Sequence, residues 1–146
     1  MTEEKLENKK LDFLVIREDW SEYKLVTDGT KVKIKASVSD IVDVGKKGKK
    51  REVRLAFNNV FYKEVSADDK GEPSENPIIS EEDVIQELEY EKIREPLNIY
   101  DVPNKFIIIV RTSLTELKKT RKFDSKGNRI YHYGISCLVN VVEYPK

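Results

Sequence analysis

The chain has 146 residues, of which 27 are basic and 27 are acidic, so its formal net charge at pH 7 is zero. This length is typical of one domain with one hydrophobic core, and the zero net charge excludes a molecule-wide field that would attract nucleic acid or an anionic membrane. The longest uninterrupted apolar run, 106–110, is far shorter than the roughly 20 residues that cross a bilayer. We therefore predict one β-rich domain over residues 1–146, a buried strand at 106–110 and no membrane association.

The N-terminal third is predicted to be β structure. Residues 11–17 are apolar enough for a first strand, and the segments 22–26 and from Thr30 onward flank Asp28-Gly29, a dipeptide typical of a tight hairpin turn. Trp20 lies between the first two strands. We expect its ring to be buried at one end of the sheet or barrel.

Residues 32–65 predict a long β-hairpin with a lysine-rich turn. Apolar residues alternate over 32–44, as expected for a strand with one face toward solvent. In the return strand the apolar parity of 53–57 changes after Asn58-Asn59, so we place a β-bulge at these asparagines. A strand of about 13 residues is longer than usual and is expected to bend, which favours a curved sheet or a barrel.

Residues 66–79 are predicted to form a flexible acidic loop, because Asp, Glu, Gly and Pro dominate them. A single short helix is predicted over 80–94. Ser80 and Asp83 approximate a capping box, acids occupy the helix start, and apolar residues recur with helical spacing. Pro96 ends this predicted helix.

The C-terminal third predicts a second long hairpin, with strands over 106–117 and 130–144 and a turn at 124–128. Cys137 shares the apolar face of the last strand, so we expect a buried thiol of raised pKa. His132, the only histidine, falls on the opposite face, where we expect it to be exposed and not catalytic. No repeat of fixed period is found, but the two long hairpins are candidates for structural relatives.

Titratable residues offer no recognisable metal or catalytic motif. The segment 64–95 contains twelve acids against three basic residues, but residues 68–72 lack the ligand spacing of a calcium loop. We expect a solvated acidic face there. One histidine and one cysteine do not suffice for structural zinc. No cofactor, no metal and no enzymatic activity are therefore predicted.

Basic clusters at the two predicted hairpin turns are the candidate contact sites. The first turn lacks the GxxxxGK[ST] spacing of a nucleotide loop and joins two strands. The second lies near two tyrosines, and cations beside aromatic rings suit single-stranded nucleic acid, which needs phosphate contacts and base stacking. The alternative is that these tyrosines cap the core while the lysines keep the hairpin tip soluble. The candidate residues are Lys46, Lys47, Lys49, Lys50, Arg51, Lys118, Lys119, Arg121, Lys122, Tyr131 and Tyr133.

Cysteine usage and composition favour a cytoplasmic protein. Cys137 is the only cysteine and cannot form an internal disulfide, which fits a reducing compartment. Residues 1–10 are polar and lack the apolar core of a secretory signal. Charged residues make up 37% of the chain, against about 25% in an average domain, and this excess favours a thermophilic origin.

These observations predict a mainly β (α+β) fold: an antiparallel curved sheet or small barrel built from long hairpins, with one short helix. The leading predicted function is a non-enzymatic interaction or assembly module with a protein partner or self-association, because no convergent set of titratable groups is identifiable. The alternative is a single-stranded nucleic-acid-binding protein that uses the basic hairpin tips and the tyrosines. A metal-dependent hydrolase built on the acidic stretch ranks below both. Proximity of the two tips in the folded chain would favour nucleic-acid binding over the interaction module, since a single basic patch is typical of a nucleic-acid-binding surface.

Overall fold

Ten β-strands dominate the computed structural model, which describes residues 9–145. The strands are β1 Lys9–Leu11, β2 Leu14–Arg17, β3 Ser21–Leu25, β4 Lys31–Lys47, β5 Lys50–Lys63, β6 Val84–Glu87, β7 Tyr90–Arg94, β8 Leu97–Val102, β9 Phe106–Phe123 and β10 Arg129–Glu143. Two short 3₁₀ turns, Ala67–Asp69 and Glu81–Asp83, are the helical elements of this part of the chain. The prediction of a mainly β, antiparallel fold is confirmed. Most of the polar segment 1–10, used above to predict location, lies outside the described residues.

The strands form two five-stranded antiparallel sheets. In the first sheet β4 pairs with β5 on one side and, on the other, with β1 near one end and β3 near the other, and β7 pairs with β3. In the second sheet β9 pairs with β10 on one side and with β6 and β8 on the other, and β2 pairs with β8. Neither sheet closes into a barrel, so the curved-sheet form of the prediction applies.

The hydrophobic core lies between the two sheets. One buried cluster joins Val38 and Ile41 of the first sheet to the start of β9 in the second. A second cluster joins Tyr23 and β4 residues to Leu114 and Leu117 of β9. Each long hairpin therefore contributes its inward apolar residues to the same core, as the alternating patterns predict.

The predicted β-bulge at Asn58-Asn59 is wrong, because both asparagines pair regularly with β4. The irregularity lies in β4 instead, between Val38 and Asp40. The extra residue shifts the alternation by one, so that Ile41 is fully buried. Polar residues around the bulge hid this change of parity from the sequence pattern.

The predicted helix over 80–94 is also wrong. Ser80 and Asp83 do form the expected cap, since the Ser80 N–H donates to an Asp83 carboxylate oxygen over 2.8 Å, but the turn ends after Asp83. β6 then pairs with β9, and β7 pairs with β3. Long-range strand pairing therefore overrides the local helical spacing.

The second five strands repeat the first five. β1 pairs with the later part of β4, as β6 pairs with the later part of β9. β3 pairs with the start of β4, as β8 pairs with the start of β9. The strand between them, β2 or β7, joins the opposite sheet. Opposed residues correspond: Tyr23 opposes Val32 as Tyr100 opposes Ile108. Each long hairpin also has a bulge after an equivalent residue, Val38 or Leu114. β2 and β7 are thus exchanged between two equivalent halves.

Equivalent hydrogen bonds secure the two exchanged strands. Glu18 follows β2 and accepts a hydrogen bond from the Tyr100 hydroxyl over 2.7 Å. Glu95 follows β7 and accepts a hydrogen bond from the Tyr23 hydroxyl. Both tyrosine side chains are fully buried, so each link ties the point where the chain crosses between sheets to the core.

Cys137 packs against the core on the predicted face of β10 and is half-buried. Burial raises the pKa of this thiol. We expect a thiol reagent at neutral pH to label the native protein at least about tenfold more slowly than the denatured chain, because thiolate and access both limit the reaction. Time-resolved labelling in buffer and in denaturant measures this ratio, and equal rates would contradict the assigned orientation of β10.

Candidate interaction surface

The first basic cluster occupies the turn between β4 and β5. Lys46 and Arg51 form ion pairs with Glu143 over 3.3 and 3.1 Å, and Arg51 also pairs with Asp43 over 3.0 Å. Hydrogen bonds from Arg51 and Lys46 lower the pKa of Glu143. The other three lysines of this tip are exposed and make no ion pair with another described residue: Lys47, Lys49 and Lys50.

Every cation of the second cluster has an acidic partner. The pairs are Lys118 with Glu116, Lys119 with Asp68, and Arg121 and Lys122 with Asp83. Asp83 accepts a hydrogen bond from the Ser80 N–H, and this bond together with Arg121 lowers its pKa to about 2. The acidic stretch therefore neutralises much of the second cluster instead of forming a separate face.

Tyr131 and Tyr133 pack inside the sandwich. The Tyr133 ring stacks on Phe61 with 4.4 Å between ring centroids. The Tyr131 hydroxyl donates to Asp69, and Lys63 pairs with the same carboxylate over 2.8 Å. Burial raises the pKa of Tyr131. With their rings against protein neighbours, neither tyrosine presents a free ring for base stacking.

The two basic tips lie at opposite ends of the molecule. Arg51, at the first tip, contacts Glu143 at the end of β10. Arg129, at the second tip, pairs with Asp69 and lines a cavity with Lys63 at the far end of β5. Twelve residues of extended strand separate positions 51 and 63, which corresponds to about 40 Å. The tips therefore do not form one patch.

His132 is exposed, as predicted, and its Nε2 lies 2.9 Å from Glu116 Oε1. His132, Glu116 and Ser80 line one cavity of about 430 Å³. The Ser80 hydroxyl donates a hydrogen bond to Asp83. Within residues 9–145 no group of three His, Cys, Asp or Glu residues is arranged to hold a metal ion. No helix in this range is long and apolar enough to cross a membrane.

An apolar surface occupies one end of the outer face of the second sheet. Phe106, Ile108 and Val110 point into the core, so Ile107 and Ile109 of the same strand point outward. Cross-strand pairing extends these two residues into a four-strand surface. We name it the apolar face; it comprises Leu14, Leu97, Ile99, Ile107, Ile109, Leu138 and Val142.

Exposure of the apolar face is high at its margins. Leu138 is 71% exposed and Leu14 57% exposed, and Val142 and Leu97 are 46% and 40% exposed. These four residues surround the half-buried Ile99, Ile107 and Ile109. A grouped apolar surface marks an interaction site more often than scattered apolar residues do. The sequence run 106–110 was predicted to be a buried strand, which is correct only for its inward residues.

The equivalent outer face of the first sheet is mostly charged. Equivalent residues, found from the matching strand registers, are Leu14 and Glu91, Leu97 and Trp20, Ile99 and Glu22, Ile107 and Lys31, Ile109 and Lys33, Leu138 and Val60, and Val142 and Glu64. Glu22 forms ion pairs with Lys33 and Arg94 over 3.7 and 3.5 Å on this face. Trp20, which was expected to be buried, is half-buried under the Lys35 ammonium. The same backbone therefore accepts lysine at the positions of the outward isoleucines.

Comparison of the chain with protein-family models, curated proteins and solved structures gave no match. The apolar face is consequently identified from its own geometry. Its sequence signal is the lack of alternation over 106–110, because a strand with one wet face alternates, whereas a strand apolar on both faces does not.

Proposed function

We propose that this protein is a non-enzymatic interaction or assembly module that binds another protein surface through the apolar face. The observation that carries the proposal is the contrast between the two outer faces. Ile107 and Ile109 lie half-buried on the outer face of the second sheet, where the equivalent positions of the first sheet carry Lys31 and Lys33. Lysine at the equivalent positions indicates that the fold does not require these isoleucines, and their apolar character favours a binding surface.

The hydrophobic effect supplies the driving force for such binding. Covering apolar surface is favourable by roughly 25 cal/mol per Å², and the most exposed residues of the face, Leu138 and Leu14, retain more than half of their accessible surface. Polar side chains such as Arg111 and Asn140 interrupt the surface, as is usual for an interface between soluble proteins.

Contacts among the titratable residues support a non-enzymatic function. His132 is hydrogen-bonded to Glu116 at the surface, and Asp83 holds Arg121 and Lys122. Ser80 lines a cavity with His132 and Glu116, but its hydroxyl donates its hydrogen bond to Asp83 and not to His132. Catalysis by acid, base or nucleophile requires such groups to converge.

The alternative, binding of single-stranded nucleic acid, retains one supporting observation, the three exposed lysines of the first tip. Tip separation, the acidic partners of the second cluster and the packed rings of Tyr131 and Tyr133 favour the interaction module instead. Fluorescence titration with a labelled single-stranded oligonucleotide tests the alternative. We expect no binding at about 0.15 M salt, where an interface built from a few phosphate contacts is strongly weakened.

Site-specific crosslinking tests the proposed function. A photoreactive amino acid placed at Leu138 in the full chain is expected to give a protein adduct, identifiable by mass spectrometry, in an extract of cells that make the protein. The matched control is the same amino acid at Val60, the equivalent position on the charged face, which is expected to give none. Absence of an adduct from position 138, or equal adducts from both positions, would contradict the proposal.

A further inference from the structure

We infer that the apolar face binds a second copy of this chain, with the two faces packed on each other about a two-fold axis. This inference rests on the proposed function and names the partner. Shape, charge and extent of the face each contribute to the argument.

Shape favours a second sheet as the occupant. The apolar face spans β2, β8, β9 and β10, which is about 14 Å across at the usual spacing of strands. An extended peptide or a single helix would leave part of this four-strand surface uncovered. Another sheet covers it fully, because sheets pack face to face about 10 Å apart with their side chains interdigitated.

Charge favours the same face of a second copy. Arg111 lies on the outer face between Leu97 and Leu138, is exposed, and forms no ion pair with another residue of 9–145. Asp101 lies on the same face beside Ile107, and one of its carboxylate oxygens accepts a hydrogen bond from Tyr144.

We place the two-fold axis in the plane of the interface, perpendicular to the strands. Rotation about this axis reverses the strand direction of the second copy. The cross-strand row that contains Arg111 then lies over the row of the second copy that contains Ile107 and Asp101. Each Arg111 then lies beside an Asp101, and the pair occurs twice, as in any isologous interface. Ile99 and Ile109 of the central row then face their counterparts in the second copy, with the polar residues Asn140 and Arg17 at the two ends of that row.

The area of the apolar face determines how strongly two copies are expected to bind each other. From Ile107 to Arg111 the face is about 13 Å long, so its apolar residues alone cover less than the roughly 800 Å² that each partner buries in a standard interface. We therefore expect a reversible dimer whose population rises with protein concentration.

Sedimentation equilibrium of the full chain over a concentration series tests this inference. The mean mass is expected to rise from 17.0 kDa toward twice that value. Ile109→Lys is expected to raise the dissociation constant at least about tenfold, since a buried isoleucine is replaced by a charge. Val60→Lys, on the charged face, is the matched control. Its mean mass is expected to rise with concentration as that of the unsubstituted chain does. Circular dichroism verifies that each variant is folded, as Lys33 at the equivalent position leads us to expect.

Charge reversal provides the more specific test. Arg111→Asp and Asp101→Arg are each expected to be monomeric alone, because each homodimer would contain two like-charged pairs. An equimolar mixture of the two variants is expected to dimerise, since both contacts then join opposite charges. A mixture that stays monomeric, or a dimer insensitive to Ile109→Lys, would overturn the inference.

Failure of this inference is distinguishable from failure of the proposed function. A monomeric chain whose position 138 crosslinks to a different protein overturns self-association and leaves the interaction module standing. A monomeric chain without any adduct at position 138 overturns both.

Discussion

Replacing Phe106 with alanine is expected to lower the free energy of unfolding by about 3 to 5 kcal/mol, the usual range for truncating a buried phenylalanine. Phe106 is 1% exposed and packs in the cluster that joins Val38 and Ile41 of the first sheet to β9. Truncation leaves a cavity between the two sheets, which close packing prevents from collapsing completely. Equilibrium denaturation in urea measures the change.

Phe57→Ala is the matched control for this prediction. Phe57 is only partly buried against the same cluster, so the loss is expected to be smaller, about 1.5 to 3 kcal/mol. Equal losses for the two variants, or an unchanged midpoint for Phe106→Ala, would show that the core does not lie between the sheets as described.

Replacing Asp69 with alanine is expected to cost about 3 to 5 kcal/mol, because it leaves two buried cations without their carboxylate. Lys63 and Arg129 are 5% and 11% exposed at the side chain, and both pair with Asp69, over 2.8 and 3.6 Å. Asp68→Ala is the matched control. Its ion pair with Lys119 involves a carboxylate that is 55% exposed, so a loss of only about 0 to 1 kcal/mol is expected.

The effect of Asp69 also depends on pH. Burial alone would raise its pKa, but hydrogen bonds from Lys63, Tyr131 and the Ser66 N–H outweigh burial and hold the pKa below its ordinary value of 3.8. A carboxyl with a depressed folded-state pKa stabilises the fold above its unfolded pKa and loses that contribution as the pH falls. The deficit of Asp69→Ala is therefore expected to be complete at neutral pH and to shrink below about pH 4. A deficit independent of pH would contradict the assigned ion pairs.

Strand patterns and turns were predictable from the sequence. Alternation over 32–38 and along β10, with Gly48 and Gly127 at positive φ in the turns, locates both long hairpins, because period-two alternation and turn chemistry are local properties. The segment 80–94 was not predictable in this way. Its cap and spacing are helical, and only pairing with the distant strands β3 and β9 makes it β structure.

The relation of the two long hairpins was suggested by the sequence, but the apolar face and the extension of the repeat to the short strands were not, for a related physical reason. Both depend on which residues oppose each other across strands, and register is not visible in one strand alone. Similarity between the halves is concentrated at inward positions such as Tyr23 and Tyr100, whereas outward positions such as Lys33 and Ile109 differ in character. Short stretches of resemblance separated by unlike residues do not appear as a repeat of fixed period.

Joining the two equivalent halves in one chain has a consequence for the size of an assembly. In a strand-swapped pair of identical halves, every outward substitution would appear on both sides of the sandwich, and two apolar sides would let copies stack without end. A single chain can differ between its sides: Lys31 and Lys33 make one side charged, while Ile107 and Ile109 make the other apolar. In the proposed dimer one apolar side gives a closed pair, whereas two apolar sides would let copies add without end into filaments.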